Sequence, residues 1–396
     1  MATIIVNSLD DNTIAGDGFI TLREATIALN NNGGGGNSDF TGITFDNTND
    51  TIDLSGVSGN IILGGTGLQI TEDLTLMGPG ATNLSIDAQM MSRAINVSAN
   101  NVTITNLTIQ SGSVTGRGGG IYHTGTGTLS LDNVTISGNS SGDRGGGISS
   151  EGSVTVTNST VSGNSSNVDG GGIRSNGGTI ANSTITQNMA SGDGGGIFNA
   201  GGTLTVNNSI IAGNTDSGTA PDVSGTVTSN NANIIGNGTG STGFGGTDII
   251  GVAANTVINT TLADNGGPTF THALIAGSPA IDASTGGTAN DQRGVAAVGT
   301  SRDIGAFEAE PEIDVLNGAT SIPDAGTLTI GTTVGSDLTV TLTVRNDGIG
   351  TLTLNNPISL TGDAELSLAS TTFTTTTLTP AATTTLTVVS DNAQSP

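Results

Sequence analysis

The stretch Gly142–Ser166, GDRGGGISSEGSVTVTNSTVSGNSS, is followed almost at once by a worn copy of itself, VDGGGIRSNGGTIANSTITQNMAS, over Val168–Ser191. The phrase GGGI begins at Gly118, Gly145, Gly170 and Gly194, and Asn-x-[Thr/Ile]-[Ile/Val] begins at Asn106, Asn133, Asn158, Asn182 and Asn208. Asn139, Asn164, Asn188 and Asn214 keep the same pace. A period of about 25 residues with apolar–polar alternation inside each copy is the signature of a solenoid walled by strands. One copy cannot bury its own apolar face, but a stack of copies buries a continuous one.

The repeat aligns three aliphatic files: Ile121, Ile148, Ile173 and Ile197; Leu131, Val156, Ile180 and Val206; and Ile109, Ile136, Val161, Ile185 and Ile211. In a parallel β-helix such residues stack at the interstrand spacing of roughly 4.8 Å. Three strand-length bursts per copy predict three faces per coil, with glycine corners supplying positive φ. The Asn columns read as side-chain amide ladders at the corners. Asn133, Asn158 and Asn182 also fit the Asn-x-Ser/Thr glycosylation pattern, which has no need of coil-by-coil regularity. Flanking segments in the same style predict about ten coils between residues 50 and 308.

Composition narrows the function classes. The chain has 396 residues with 64 Gly, no Cys, no Trp, one Tyr and a formal charge of −25. All eight basic residues are Arg, against 33 acidic ones. A nucleic-acid partner or an anionic membrane surface needs clustered Lys and Arg, so neither is expected. Glycine does not recur at every third position, which excludes collagen. No transmembrane span or cleavable leader is legible, and the start MATIIVNSLDDN has no basic residue.

The first 48 residues read as a cap for the open solenoid end. MATIIVNS is a strand, and TLREATIALNNN is a helix opened by a Thr21/Glu24 capping box, with Leu22, Ala25, Ile27 or Ala28, and Leu29 as its apolar stripe. The stretch DGFITLREATIALNN, with ITFD after it, resembles the N-terminal CSLREA motif of bacterial secreted β-helix proteins, with Ile20 where that motif has Cys. Leu262–Glu308, which contains SPAID, DQRG and DIGAFE, resembles the choice-of-anchor Q module that closes such helices. After EAEPE the period is lost, and strands alternate with turn signals such as Asn346-Asp347-Gly348. That part resembles choice-of-anchor D modules, which are immunoglobulin-like, and its end at SDNAQSP falls where a further strand is expected.

The resemblances imply an all-β chain: a right-handed, pectin-lyase-like parallel β-helix with an N-terminal cap holding one short helix, then an Ig-like β-sandwich. The boundaries are 1–48 for the cap, 49–308 for the β-helix with its closing module, and 309–396 for an incomplete sandwich. They further imply a secreted or cell-surface bacterial protein with more domains and an export signal beyond this segment.

Exported β-helices are often polysaccharide lyases or hydrolases, which makes an enzyme the competing expectation. Lys is absent, which leaves Arg93, Arg117, Arg144 and Arg174 as the candidate bases. Asp143, Asp169 and Asp193 read as a carboxylate column, either neutralised by Arg144 and solvent at an exposed turn or bridged by Ca²⁺. Tyr122, His123, Arg144, Arg174 and Phe198 are the candidate ligand contacts, with Tyr122 and Phe198 as a small aromatic pair for a polysaccharide or matrix glycan. Asn214-Thr215-Asp216 echoes one hydrolase motif without its companions, and two His support no Ser-His-Asp arrangement. Three readings stand: a non-catalytic adhesive stalk; a polysaccharide-active enzyme, calcium-dependent lyase or glycoside hydrolase, using Asp169 or Asp193 with Arg144 or Arg174; and a bare structural spacer.

Overall fold

The structure is a computed structural model that describes residues 2–33, 37–45, 49–80, 84–230, 232–297, 301–311, 313–318, 320–322, 338–346, 348–355 and 366–390. The chain divides into two compact units, one running to Leu274 and resuming over Ser278–Glu308, the other comprising Ile275–Gly277 and the residues from Ala309 on.

The first unit is a parallel β-solenoid of about seven turns. Sheet A stacks strands from Asp50–Asp53 through Ser153–Thr157 to Leu204–Asn207. Sheet B runs from Gly59–Ile62 through Thr160–Ser162 to Ile249–Ile250, and sheet C from Leu68–Ile70 through Ile148–Ser150 to Ile197–Asn199. Strand Val223–Ser229 closes sheets A and C together, with Val223 beside Ile197 and Val227 beside Leu204. A fourth file of two-residue strands, Ser113–Val114 to Thr215–Asp216, adds a narrow sheet D to the three faces expected.

The aliphatic files are in register as the repeat predicts, with Ile121, Ile148, Ile173 and Ile197 paired in turn and each fully buried. The first glycine of each GGGI phrase has a φ of +66° to +69°, and a Cβ on the second would lie 2.2–2.4 Å from a carbonyl oxygen of the next coil. The phrase is therefore a corner that only glycine can turn at this rung spacing.

The two Asn columns differ in kind, which corrects the single expectation of amide ladders. In the column Asn139–Asn164–Asn188–Asn214 each Nδ2 donates to the next Oδ1 at 2.9 Å, and Asn214 donates to Asp222 at 2.8 Å. The same Oδ1 atoms accept the backbone N–H of the Asn below, so the ladder fixes side chain and main chain together. The other column, Asn106, Asn133, Asn158, Asn182 and Asn208, adopts φ of +42° to +56° at the corner between sheets A and B. Asn stands there because it tolerates the left-handed conformation better than other non-glycine residues.

The helix Leu22–Asn30 has the expected capping box, and its stripe resolves to Ala28, with Ile27 exposed. It packs on strands Asp50–Asp53 and Leu68–Ile70, while strand Thr3–Ile5 extends sheet A by one parallel rung.

The expectation of ten coils fails because residues 257–274, 278–297 and 301–308 do not coil. They fold back as a strap over sheet B. Thr135 Oγ1 donates to the Phe270 carbonyl at 2.6 Å, Thr160 Oγ1 to Gln292 Oε1 at 2.7 Å, and the Ala306 N–H to Thr184 Oγ1 at 3.2 Å. This explains why Thr135, Thr160 and Thr184, on the outer side of sheet B, are buried. The DQRG and DIGAFE phrases meet within the strap. Asp291 pairs with Arg293 at 2.8 Å and accepts the Glu308 N–H, while the Arg293 guanidinium lies 3.7 Å from the Phe307 ring centre.

In the second unit a five-stranded antiparallel sheet, built around Leu338–Asn346 and Thr383–Ser390, accompanies a two-stranded ribbon. Val344, Leu354 and Leu378 form its buried core. Among the described residues this is a small antiparallel sheet region. Asp347 of the turn signal and the terminal residues 391–396 lie outside the described residues.

Candidate functional site

Sheet C orders most of the candidate residues. Its strand registers place Gln69, Asn96, Tyr122, Ser149, Arg174, Phe198 and Ser224 in one file, one rung apart. Tyr122 and Phe198 are three rungs apart, roughly 14 Å at the interstrand spacing, so they do not form the expected aromatic pair. Arg174 is the immediate neighbour of Phe198 in the file.

His123 belongs to the other side of the strand, in register with Val97 and Ser150. It is fully buried, with Nδ1 2.8 Å from Ser150 Oγ and Nε2 3.1 Å from the carbonyls of Ala99 and Asn100. Burial lowers its pKa against the opposing effect of those carbonyls. It is a core histidine with its bonds satisfied, not a ligand contact. His272 is likewise buried, between Ser162 Oγ and the Asn259 carbonyl.

The three Asp do not form one file. Backbone bonds from Gly118 to Arg144, Gly145 to Asp169 and Gly170 to Asp193 put Arg117, Arg144, Asp169 and Asp193 in register, with Asp143 one position earlier. The file therefore changes sign midway. Arg117 Nε lies 3.1 Å from Asp143 Oδ2, and Arg144 Nε lies 3.1 Å from Asp169 Oδ2. Asp193 Oδ1 accepts the Thr219 N–H at 3.0 Å. A Ca²⁺ site wants six to eight converging oxygens. Among the described residues no group of three or more His, Cys, Asp or Glu is placed to hold a metal.

Glu151, which sequence reasoning missed, links the cations. Its Oε1 is 2.5 Å from Arg117 Nη1 and its Oε2 is 3.1 Å from Arg174 Nη1, extending an ionic chain from Asp143 across three coils. Arg174 also donates to the Ser150 carbonyl at 2.6 Å. Both Arg proposed as lyase bases, Arg144 and Arg174, are thus already ion-paired.

The fourth cation, Arg93, stands apart. Its Nε donates to the Gly118 carbonyl at 2.9 Å and its Nη2 to that of Arg117 at 2.7 Å, while the guanidinium carbon sits 5.1 Å from the Tyr122 ring centre. Burial lowers its pKa and Tyr122 opposes the shift. Arg93 borders an open groove of about 740 Å³ that crosses successive coils beside sheet D, with Gln69, Asn96, Ser113 and Ser141 among its walls. The Asn96 amide donates to Gln69 Oε1 at 2.6 Å. Alternation along the strand could have identified Asn96 and Gln69, because they occupy the Tyr122 file.

No helix among the described residues is long and apolar enough to cross a membrane. No protein-family model, curated protein or solved structure matches the chain.

Proposed function

We propose that this chain is a non-catalytic segment of a bacterial secreted or cell-surface protein, a rigid stalk with adhesive faces. In this reading the solenoid is a right-handed β-helix of the CSLREA and choice-of-anchor Q kind. The second unit is an immunoglobulin-like module leading to further domains. One observation carries the proposal: like positions pair from coil to coil, and both His and the Asp–Arg groups weighed for catalysis around Asp169 are committed to protein partners. His123 and His272 are buried and bonded, and Asp143, Asp169, Arg144 and Arg174 are paired. Continuous interstrand bonding supports stiffness along the axis, and repeated Thr, Ser and Asn on outward positions suit weak, multivalent contact.

The test mixes the purified chain with acidic and neutral polysaccharides, with and without calcium, and follows both by size-exclusion chromatography. Co-elution at unchanged polysaccharide length is the expected result. Shortened polysaccharide would sink the proposal in favour of a lyase or glycoside hydrolase.

A further inference from the structure

We infer that the groove bordered by Arg93 is a binding site for a carboxylate-bearing sugar within a polysaccharide chain, Arg93 holding the carboxylate and Asn96 and Gln69 the neighbouring hydroxyls. The inference rests on the adhesive reading above and gives it a place and a ligand class.

Charge is the first ground. The chain carries 33 acidic residues, yet among the described residues the groove walls contain none and Arg93 is their one cation. The second is pairing. Arg117, Arg144 and Arg174 all face carboxylates, whereas among the described residues Arg93 meets only backbone carbonyls and the Tyr122 ring. Those contacts hold the guanidinium in place and leave Nη1 without an acceptor among the described residues, so the fork is set before a ligand arrives. Thirdly, Asn96 and Gln69 stand side by side in the same walls, bonded to each other at 2.6 Å, and Gln69 is exposed, so amide groups suited to sugar hydroxyls share the groove with the guanidinium.

Shape is the fourth ground. Wall residues Thr66, Ser92, Ser113, Ser140 and Asn167 come from five successive coils, roughly 19 Å along the axis at the interstrand spacing. The groove is open, and its volume lies in the range of about 300–1,000 Å³ usual for ligand sites. An open trough along the axis suits a polymer segment. A single cation suits a carboxylate better than a nucleic acid or anionic membrane, which need several.

Titration calorimetry on the full chain tests this with a hexuronate octamer and its carboxyl-reduced, neutral counterpart. The octamer is expected to bind at least about tenfold tighter than the reduced form, and Arg93→Gln to remove most of that difference. Gln69→Ala, at an exposed position that leaves the core intact, is expected to weaken binding about threefold. The two oligomers and Gln69→Ala decide the matter even if Arg93→Gln misfolds, which circular dichroism would reveal. Equal binding of both oligomers, no binding of either, or a folded Arg93→Gln that binds like the parent overturns the site. The stalk reading survives each of those results and fails separately, on shortening of the octamer.

Discussion

Replacing Asn164 by Ala separates the two asparagine columns. The Asn164 side chain makes four hydrogen bonds: Oδ1 accepts from Asn139 N at 3.0 Å and Asn139 Nδ2 at 2.9 Å, and Nδ2 donates to Ile136 O at 3.0 Å and Asn188 Oδ1 at 2.9 Å. At a net value of about 1 kcal/mol each the loss is about 4 kcal/mol, because the Asn139 N–H stays buried without an acceptor. Asn133, one column over, has φ +54° and an Oδ1 with no hydrogen-bond partner among the described residues. Asn133→Ala therefore loses mainly left-handed tolerance, about 1 kcal/mol, and Asn133→Gly costs close to nothing. Urea unfolding followed by far-ultraviolet circular dichroism, at constant m-value, reads these differences directly. If Asn164→Ala falls within 1 kcal/mol of Asn133→Ala, the assignment of separate roles is wrong.

Three further outcomes are expected. Asp222 is pushed up to about 6 by burial from its ordinary 3.8, so the folded state binds its proton more tightly than the unfolded state does. Its contribution is fully present below pH 3.8 and is lost as pH rises through 6, by about 3 kcal/mol. Unfolding curves for the parent and Asp222→Asn should diverge over that window, and parallel curves would refute the shift. Gln292 is 1% exposed and its Oε1 and Nε2 bond Thr160, Thr135, Val134, Thr269 and Phe270, so Gln292→Ala should cost about 3 kcal/mol. Limited proteolysis should then cut within 257–308 first, and cleavage spread evenly over the solenoid would contradict the strap. Glu151→Gln breaks two ion pairs whose side chains are 10–32% exposed, yet should cost under about 1 kcal/mol by urea unfolding. A larger loss would mean that the ionic chain carries the fold.

The solenoid was legible because stacking turns a period into a file: residues 25 apart become neighbours, and their chemistry repeats. His123, read as a ligand contact, could have been placed from the same pattern. Period-2 alternation puts it on the side of Ile121, which is buried, so its inward place followed from parity. The strap was hidden because Ile258, Leu274 and Ile304 are buried aliphatics like those of a coil, while the file that Phe270, Gln292 and Ala306 bond to, Thr135, Thr160 and Thr184, looks polar in the sequence. The Asp column misled for another reason. Spacings of 26 and 24 match the repeat on average, but register is exact, and Asp143 falls one residue short of the position held by Arg144 and Asp169. Ion pairs such as Arg117–Glu151 depend on that register and on rotamers, neither of which a single sequence displays. The handedness and the sandwich rest on resemblance alone.

The amide ladder has a direction, since every Asn gives its N–H to the coil ahead and receives from the coil behind. Such a chain can lengthen only by inserting another Asn between two existing ones. At the far end stands Asp222, a carboxylate that accepts from Asn214 and from the Asn237 N–H. At the near end the Gly112 N–H donates to Asn139. Duplication of an internal copy keeps donors and acceptors matched, whereas duplication across Asp222 would set an acceptor against an acceptor. The carboxylate thus acts as a full stop, and the number of coils in the ladder is written by where it stands.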